Sequence, residues 1–444
     1  MNTTAIKQFL DDPNNGWERR KVGTFVRYVW PFAEPPRWST VKTLALHVGS
    51  SRAFLGNIPT GAVQVVDRAL EAIESAFAHA GFDVPAEPEC PVVLWDMTFP
   101  LPVEWELPDV PGSRCPVTIL SSQAHPHTST LILLPTHESG RFGGRDLAWL
   151  ESSALHEGFH ALLGRWLGGA QSMELHRRDR WAKFEEMCAV AMETRLARRV
   201  QAWMDYGRSW QSTLSLSHCD NNWAAFLHPQ DGNFDHWVNT EVYGHFALIA
   251  FLQEHFCPAQ SQVGDWLKVV WTGGRELGSS IDPWTALDNA LADVGGVAAL
   301  FQAYVSEATF PSFAGGIIAE LHAVFGPPAS AVLERHRAAK FFAIGPLAAQ
   351  LLTCRILSGP PAGIVEVVDF RGLRDTVVQA FALRGPSGKP VPIEPIIEMG
   401  EATRPYKSWQ FALNRADPIS TEIRLIVSQP NHQGRSLAFT ATWQ

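Results

Sequence analysis

The hydrophobic pattern of this chain changes at Gly326-Pro327-Pro328, and that change limits the folds open to it. After a short helical connector to Lys340, strand-like segments recur about every ten residues, separated by Gly, Pro, Asn and Asp clusters. The predicted strands are 347–356, 364–370, 376–383, 391–397, 409–413, 422–427 and 436–443. This spacing is typical of a β-sandwich, so residues 341–444 are predicted to form an accessory β-sandwich domain.

Before the change, residues 145–326 are predicted to be mainly helical, because apolar residues recur there at spacings of three and four. The predicted helices cover 147–167, 181–206, 241–256, 264–271, 283–294, 297–308 and 316–324. A chain of 444 residues is also too long for one ordinary core, which favours two or three domains.

The first 144 residues predict a small sheet packed against one helix. Runs rich in β-branched, aromatic and aliphatic residues occupy 24–30, 41–48, 91–95, 117–120 and 130–134. Apolar residues from Val63 to Phe77 repeat at helical spacing, and Gly81 ends that helix. The chain is therefore predicted to be α+β, with an N-terminal α/β part (1–144), a helical part (145–326) and the β-sandwich.

Residues 156–160 read HEGFH, an HExxH pattern inside the first helix of the middle part. Histidines four apart on a helix face the same side, so His156 and His160 can bind one metal ion, for which Zn²⁺ is expected. Glu157, between them, can act as a general base toward a metal-bound water. The alternative is a helix whose two histidines only take part in a polar seam.

A third ligand is expected from the next helix. Glu186 and Glu193 are seven residues apart and share a face, whereas Glu185 is rotated by about 100° and is expected to point elsewhere. If Glu186 binds the metal, Glu193 can accept a hydrogen bond from a ligating histidine and set its tautomer.

These residues resemble the gluzincin zinc metallopeptidases, bacterial members in particular. The resemblance rests on HEGFHA at 156–161, followed by FEEMCAVAME at 184–193, and extends over roughly 60–310. It implies a zincin-like catalytic domain formed by residues 1–144 and 145–326 together, with Glu186 as the metal ligand. It also implies that a later Tyr or His stabilises the oxyanion, for which Tyr243 is the first choice and His245 the second.

Three features depart from the family pattern. Gly158 is unusual between the histidines, lowers helix stability by roughly 1 kcal/mol, and is expected to leave room above the metal. Met187 replaces the usual glycine after the ligand glutamate, and the interval from His160 to Glu186 is longer than in the best-known members.

The expected reaction is the hydrolysis of a peptide or protein substrate by zinc-activated water. Strand 130–134 precedes the metal helix by a short loop, and it is expected to form the sheet edge on which an extended peptide docks by backbone pairing.

Composition excludes several other functions. A formal net charge of -9, without a basic cluster, argues against a nucleic-acid partner. No apolar stretch has the length of a transmembrane helix, and no signal peptide is seen, so a cytoplasmic protein or non-classical export is expected.

The six cysteines form no CxxC pair, which disfavours a cysteine zinc site. The protein is expected to be a monomer.

Two further functions remain open. One is a catalytically silent protein that binds peptide or glycan on a peptidase scaffold, although a silent site has no need of Glu157 as a proton shuttle. The other is a dedicated effector protease that cleaves one host protein, whose chemistry would be the same.

Overall fold

The structure is a computed structural model. It describes residues 7–8, 10–29, 61–86, 89–95, 117–119, 131–135, 147–168, 171–172, 175, 179–197, 246–256, 266–277, 280–312, 315–357, 359–370, 375–383, 389–399, 406–416, 419–433 and 437–444.

Helices and strands both contribute large parts of the described chain, which confirms the predicted α+β class. The α-helices are α1 (Ala62–His79), α2 (Leu147–Leu167), α3 (Asp179–Ala197), α4 (Phe246–Phe251), α5 (Trp266–Leu277), α6 (Pro283–Ala290), α7 (Gly296–Thr309) and α8 (Ile317–Phe325). A π-helical turn, Leu252–Phe256, follows α4. Within the described ranges, every helix is too short or too polar to cross a bilayer.

The strands among the described residues form three sheets of five strands each. They are β1 (Glu18–Val22), β2 (Phe25–Val29), β3 (Cys90–Trp95), β4 (Val117–Ile119), β5 (Leu131–Pro135), β6 (Ser330–Leu333), β7 (Lys340–Ile344), β8 (Ala348–Arg355), β9 (Ile364–Asp369), β10 (Val377–Leu383), β11 (Val391–Ile393), β12 (Ile397–Met399), β13 (Lys407–Ala412), β14 (Glu422–Gln429) and β15 (Leu437–Trp443).

The described residues fall into two compact units. The first lies within 1–204, 222–238 and 264–283, and the second lies within 205–221, 239–263 and 284–444. The domain boundaries expected from the sequence, at 144, 326 and 341, remain predictions.

The sheet of the first unit has the order β1-β2-β3-β5-β4. Its three inner strands run parallel, and β1 and β4 are antiparallel to their neighbours. Strand β2 is buried at all its positions, as expected for a parallel strand covered on both faces. Strand β5 is paired on both sides, so the expectation that 130–134 forms the sheet edge is wrong, and β4 lies at that edge instead.

Helices α1 and α2 approach each other closely at Gly158. A Cβ atom at this position would lie 2.9 Å from Cγ2 of Ile73 on α1. Gly158 is two residues from each histidine, and a rotation of about 200° puts it on the opposite side of α2. The expectation that this glycine leaves room above the metal is therefore wrong, because it serves the packing of α1 against α2.

Replacing Gly158 with alanine is expected to lower the free energy of unfolding by about 1 kcal/mol. Overpacking against a β-branched side chain costs about 1–3 kcal/mol, and the better helix propensity of alanine offsets up to about 1 kcal/mol of it. Zinc affinity should not change, because the new methyl group points away from the histidines. Denaturant unfolding of the variant, alone and combined with Ile73→Leu, measures this, and a stabilised single variant would contradict the close approach.

Helix α3 is held at its first turn by an aromatic cluster. The ring of Trp181 lies 5.0 Å from that of Trp271 on α5, and its indole N–H donates to the carbonyl of Ile281 over 3.1 Å. Gly274 on α5 makes room for the indole, since a Cβ there would lie 2.7 Å from the ring. This anchor sets the position of α3 beside α2, with which it packs directly.

The second unit contains the predicted β-sandwich. Its two sheets have the orders β11-β10-β14-β8-β6 and β12-β13-β9-β15-β7. Side chains that alternate along the strands of both sheets fill one shared core, including Leu352, Val367, Phe411, Leu425 and Phe439. The alternation follows the period of two along each strand.

Two sequence expectations about this unit are wrong. The predicted strand 391–397 is two strands, β11 and β12, which pair in different sheets on either side of Pro395. The predicted helical connector to Lys340 contains strand β6, which pairs in parallel with β8, and ends where β7 begins. Four residues such as Ser330–Leu333 are too few for periodicity to distinguish a strand from a helical turn.

Some predicted elements extend beyond the described residues. Strand 41–48, the end of helix 181–206 after Ala197 and the start of helix 241–256 before Phe246 lie outside them. Helix 283–294 is described in full, and it ends at Ala290, before a 3₁₀ turn over Ala292–Val294.

Candidate metal centre

Helix α2 brings two imidazole rings together. It spans the predicted residues, Leu147–Leu167, and the rings of His156 and His160 lie one turn apart with centroids separated by 4.9 Å. Their Nε2 atoms are 3.1 Å apart. The pairing expected from the HExxH spacing is therefore present in the folded chain.

Helix α3 adds a carboxylate to the pair. One oxygen of Glu186, Oε2, lies 3.2 Å from His156 Nε2, and the other, Oε1, lies 3.6 Å from His160 Nε2. One ligand atom from each of the three residues lies within 4.8 Å of the other two. Among the described residues, this is the group of His, Cys, Asp and Glu side chains that has the geometry of a metal site.

Two of these spacings match those between the ligands of a tetrahedral zinc ion. Bonds of about 2.0–2.1 Å at tetrahedral angles place neighbouring ligand atoms roughly 3.3 Å apart, close to the 3.1 and 3.2 Å observed. Oε2 of Glu186 is buried and has no hydrogen-bond partner among the described residues. A buried carboxylate oxygen without a donor is destabilising unless a cation or proton satisfies it.

The outer nitrogen of each imidazole faces a second carboxylate. Nδ1 of His156 lies 3.3 Å from Oε2 of Glu193, as predicted for that glutamate. Nδ1 of His160 lies 2.6 Å from Oε1 of Glu185, so the expectation that Glu185 points elsewhere is wrong. An ionised carboxylate only accepts, so both Nδ1 atoms carry the proton.

With both Nδ1 atoms protonated, the Nε2 atoms of the two rings face each other and Glu186. Lone pairs at 3.1 Å repel unless positive charge lies between them. Burial lowers the pKa of His156, but the carboxylates of Glu186 and Glu193 outweigh burial and raise it to about 10. The pocket therefore attracts a proton or a metal cation.

The same balance governs the other two members of the cluster. Burial lowers the pKa of His160, but the charges of Glu186 and Glu185 outweigh it and hold that pKa well above its usual value. Burial raises the pKa of Glu186, and the two imidazoles more than reverse this, so that its carboxyl stays ionised.

The remaining predicted site residues are Glu157, Tyr243 and His245. Glu157 follows His156 on α2, and its side chain is buried, with 8% of the residue exposed. Tyr243 and His245 lie outside the described residues, so their expected role remains a prediction.

Comparison with known proteins adds no relative to this picture. No protein-family model, no curated protein and no solved structure matches the chain.

Proposed function

We propose that this protein is a zinc-dependent metallopeptidase with His156, His160 and Glu186 as the metal ligands. The observation that carries the proposal is the convergence of their three ligand atoms within 4.8 Å, with each outer imidazole nitrogen already donating to a carboxylate. A polar seam between two helices would not need both Nε2 atoms and a carboxylate oxygen to face one point.

The donor set supports zinc in particular. Two imidazole nitrogens and one carboxylate are a ligand combination of hydrolytic zinc sites, which keep the fourth position open for water. Soft thiolate ligands are missing from the described cluster, so copper(I) and iron–sulfur chemistry are disfavoured. When bound, the zinc ion would lower the pKa of a water molecule and polarise the substrate carbonyl.

Glu157 would supply the proton transfers. Glu157 lies between the two histidines in the sequence of α2, and its burial keeps it away from bulk solvent, which supports this role. The carboxylate would take a proton from the attacking water and deliver it to the leaving amine nitrogen as the C–N bond breaks. A carboxylate that performs both transfers must be ionised before the attack, and it returns to the ionised form when the amine has taken the proton.

The oxyanion formed by that attack needs a donor on the side away from Glu157. Tyr243, or failing that His245, remains our proposed donor, on the strength of the resemblance to gluzincins. The choice of a peptide as substrate, rather than another amide, rests on the same resemblance.

Zinc content and hydrolysis test the proposal together. We expect about one zinc per chain by elemental analysis, and cleavage of a mixed peptide library that stops on chelation and returns on adding Zn²⁺. The library products, separated by mass spectrometry, also distinguish internal from terminal cleavage. Bound zinc without any turnover on peptides or proteins would instead favour the catalytically silent binding protein.

A further inference from the structure

The imidazole of His160 lies between two consecutive carboxylates of α3. Oε1 of Glu185 lies 2.6 Å from Nδ1, and Oε1 of Glu186 lies 3.6 Å from Nε2. Consecutive side chains on a helix diverge by about 100°, so a flat ring inserted between them meets one at each nitrogen. The Glu185-Glu186 pair therefore contacts both nitrogens of this ring.

We infer that Glu185 is the main positioning residue of the metal centre, which orients His160 and keeps its Nε2 lone pair available. This inference rests on the proposed zinc site. Glu185 is not itself a ligand, because it lies on the Nδ1 side of the ring, whereas the ligand atoms meet on the Nε2 side. It acts through His160, and a metal-ligating histidine held in this way is a more basic and better oriented donor.

Glu185 is expected to matter more than Glu193. Its bond to His160, at 2.6 Å, is as short as the shortest charge-assisted hydrogen bonds from nitrogen, or slightly shorter, whereas Glu193 lies 3.3 Å from His156. The side chains of Glu185 and His160 are only 4% and 8% exposed. A low local dielectric strengthens a satisfied bond and makes an unsatisfied partner more destabilising.

The surroundings of Glu185 make its bond to His160 more important. The helix around it is buried and largely apolar. An ionised carboxylate in such a place is destabilising unless it is paired. The imidazole N–H of His160 donates one short hydrogen bond to it in the structure.

Zinc affinity, measured by competition with a chromogenic chelator, tests this inference. Glu185→Gln keeps the shape and removes the charge, and we expect the dissociation constant for Zn²⁺ to rise about 10- to 100-fold. Glu193→Gln is expected to have a smaller effect. Glu71→Gln, which removes an exposed charge on α1 in the same unit, is the matched control and should leave the dissociation constant unchanged.

A second measurement separates positioning from a merely structural role. In the zinc-loaded protein, the Nδ1 proton of His160 should give a downfield proton NMR signal, which Glu185→Gln shifts or removes and Glu193→Gln leaves in place. A structural role would lower the melting temperature of the metal-free protein without moving zinc affinity or this signal. Should Glu185→Gln not fold, Glu185→Asp keeps the charge and shortens its reach, and the same loss of affinity is expected.

The outcomes for the inference and for the proposed function can be told apart. Wild-type protein that binds no zinc overturns both. Wild-type protein that binds zinc but cleaves nothing overturns the peptidase and leaves the inference open to the affinity test. Unchanged zinc affinity and an unchanged His160 signal in folded Glu185→Gln overturn the inference and leave the peptidase standing.

Discussion

Replacing Glu157 with glutamine is expected to lower kcat for peptide hydrolysis by about 10²- to 10⁴-fold, the usual contribution of a general acid–base group. Glutamine has the same shape but cannot take a proton from water at neutral pH. Because Glu157 is not one of the three converging ligands, the zinc content should stay at the wild-type level. Initial rates on a peptide from the library, with zinc measured on the same samples, give both quantities.

A suitable control lies on the same helix. Glu151 is six residues before Glu157, so it projects from α2 at a different angle and lies about 9 Å away along the helix axis. Glu151 is partly buried and lies outside the converging ligands, so Glu151→Gln removes the same charge from α2 and should leave kcat within a factor of about two. A Glu157→Gln variant that turns over at the wild-type rate would show that this residue does not carry the proton.

The parts of the centre that follow from helix geometry could be predicted from the sequence. The bounds of α2 and the pairing of His156 with His160 depend on periodicity along a single helix, as does the shared face of Glu186 and Glu193. The choice of Glu186 as the ligand came from the resemblance to gluzincins. The clusters of Gly, Pro, Asn and Asp that recur about every ten residues located most of the sandwich strands.

The parts that depend on how elements meet could not be predicted in this way. On a helical wheel of α3 alone, the side chains of Glu185 and Glu186 diverge. Both take part in the centre because the ring of His160 lies between them and contacts each carboxylate with a different nitrogen. The position of Gly158 in the HExxH pattern similarly suggests a role at the metal site, but in the structure this glycine lies against Ile73 of α1. The edge position of β4 follows from the pairing order of the sheet, which no local pattern encodes.

Replacing Glu186 with glutamine is expected to weaken zinc binding by at least about 100-fold. Structural zinc sites bind with about 10–16 kcal/mol shared among four ligands, or roughly 3 kcal/mol each, and 1.4 kcal/mol corresponds to a factor of ten. The amide is also a poorer ligand, since it brings no charge to a cation that two neutral imidazoles do not neutralise. Isothermal titration of the metal-free variant and wild type with Zn²⁺ measures the difference.

The same variant separates a metal centre from a polar seam between α2 and α3. Zinc stabilises a protein that binds it only when folded, so saturating Zn²⁺ should raise the melting temperature of the wild type and have little effect on Glu186→Gln. In a seam, Glu186 would serve only as the ionised partner of His156 and His160. Losing Glu186 would then lower the melting temperature of the protein without zinc. Zinc would stabilise neither the wild type nor the variant, because the two imidazoles and Glu186 would share protons instead of binding a metal.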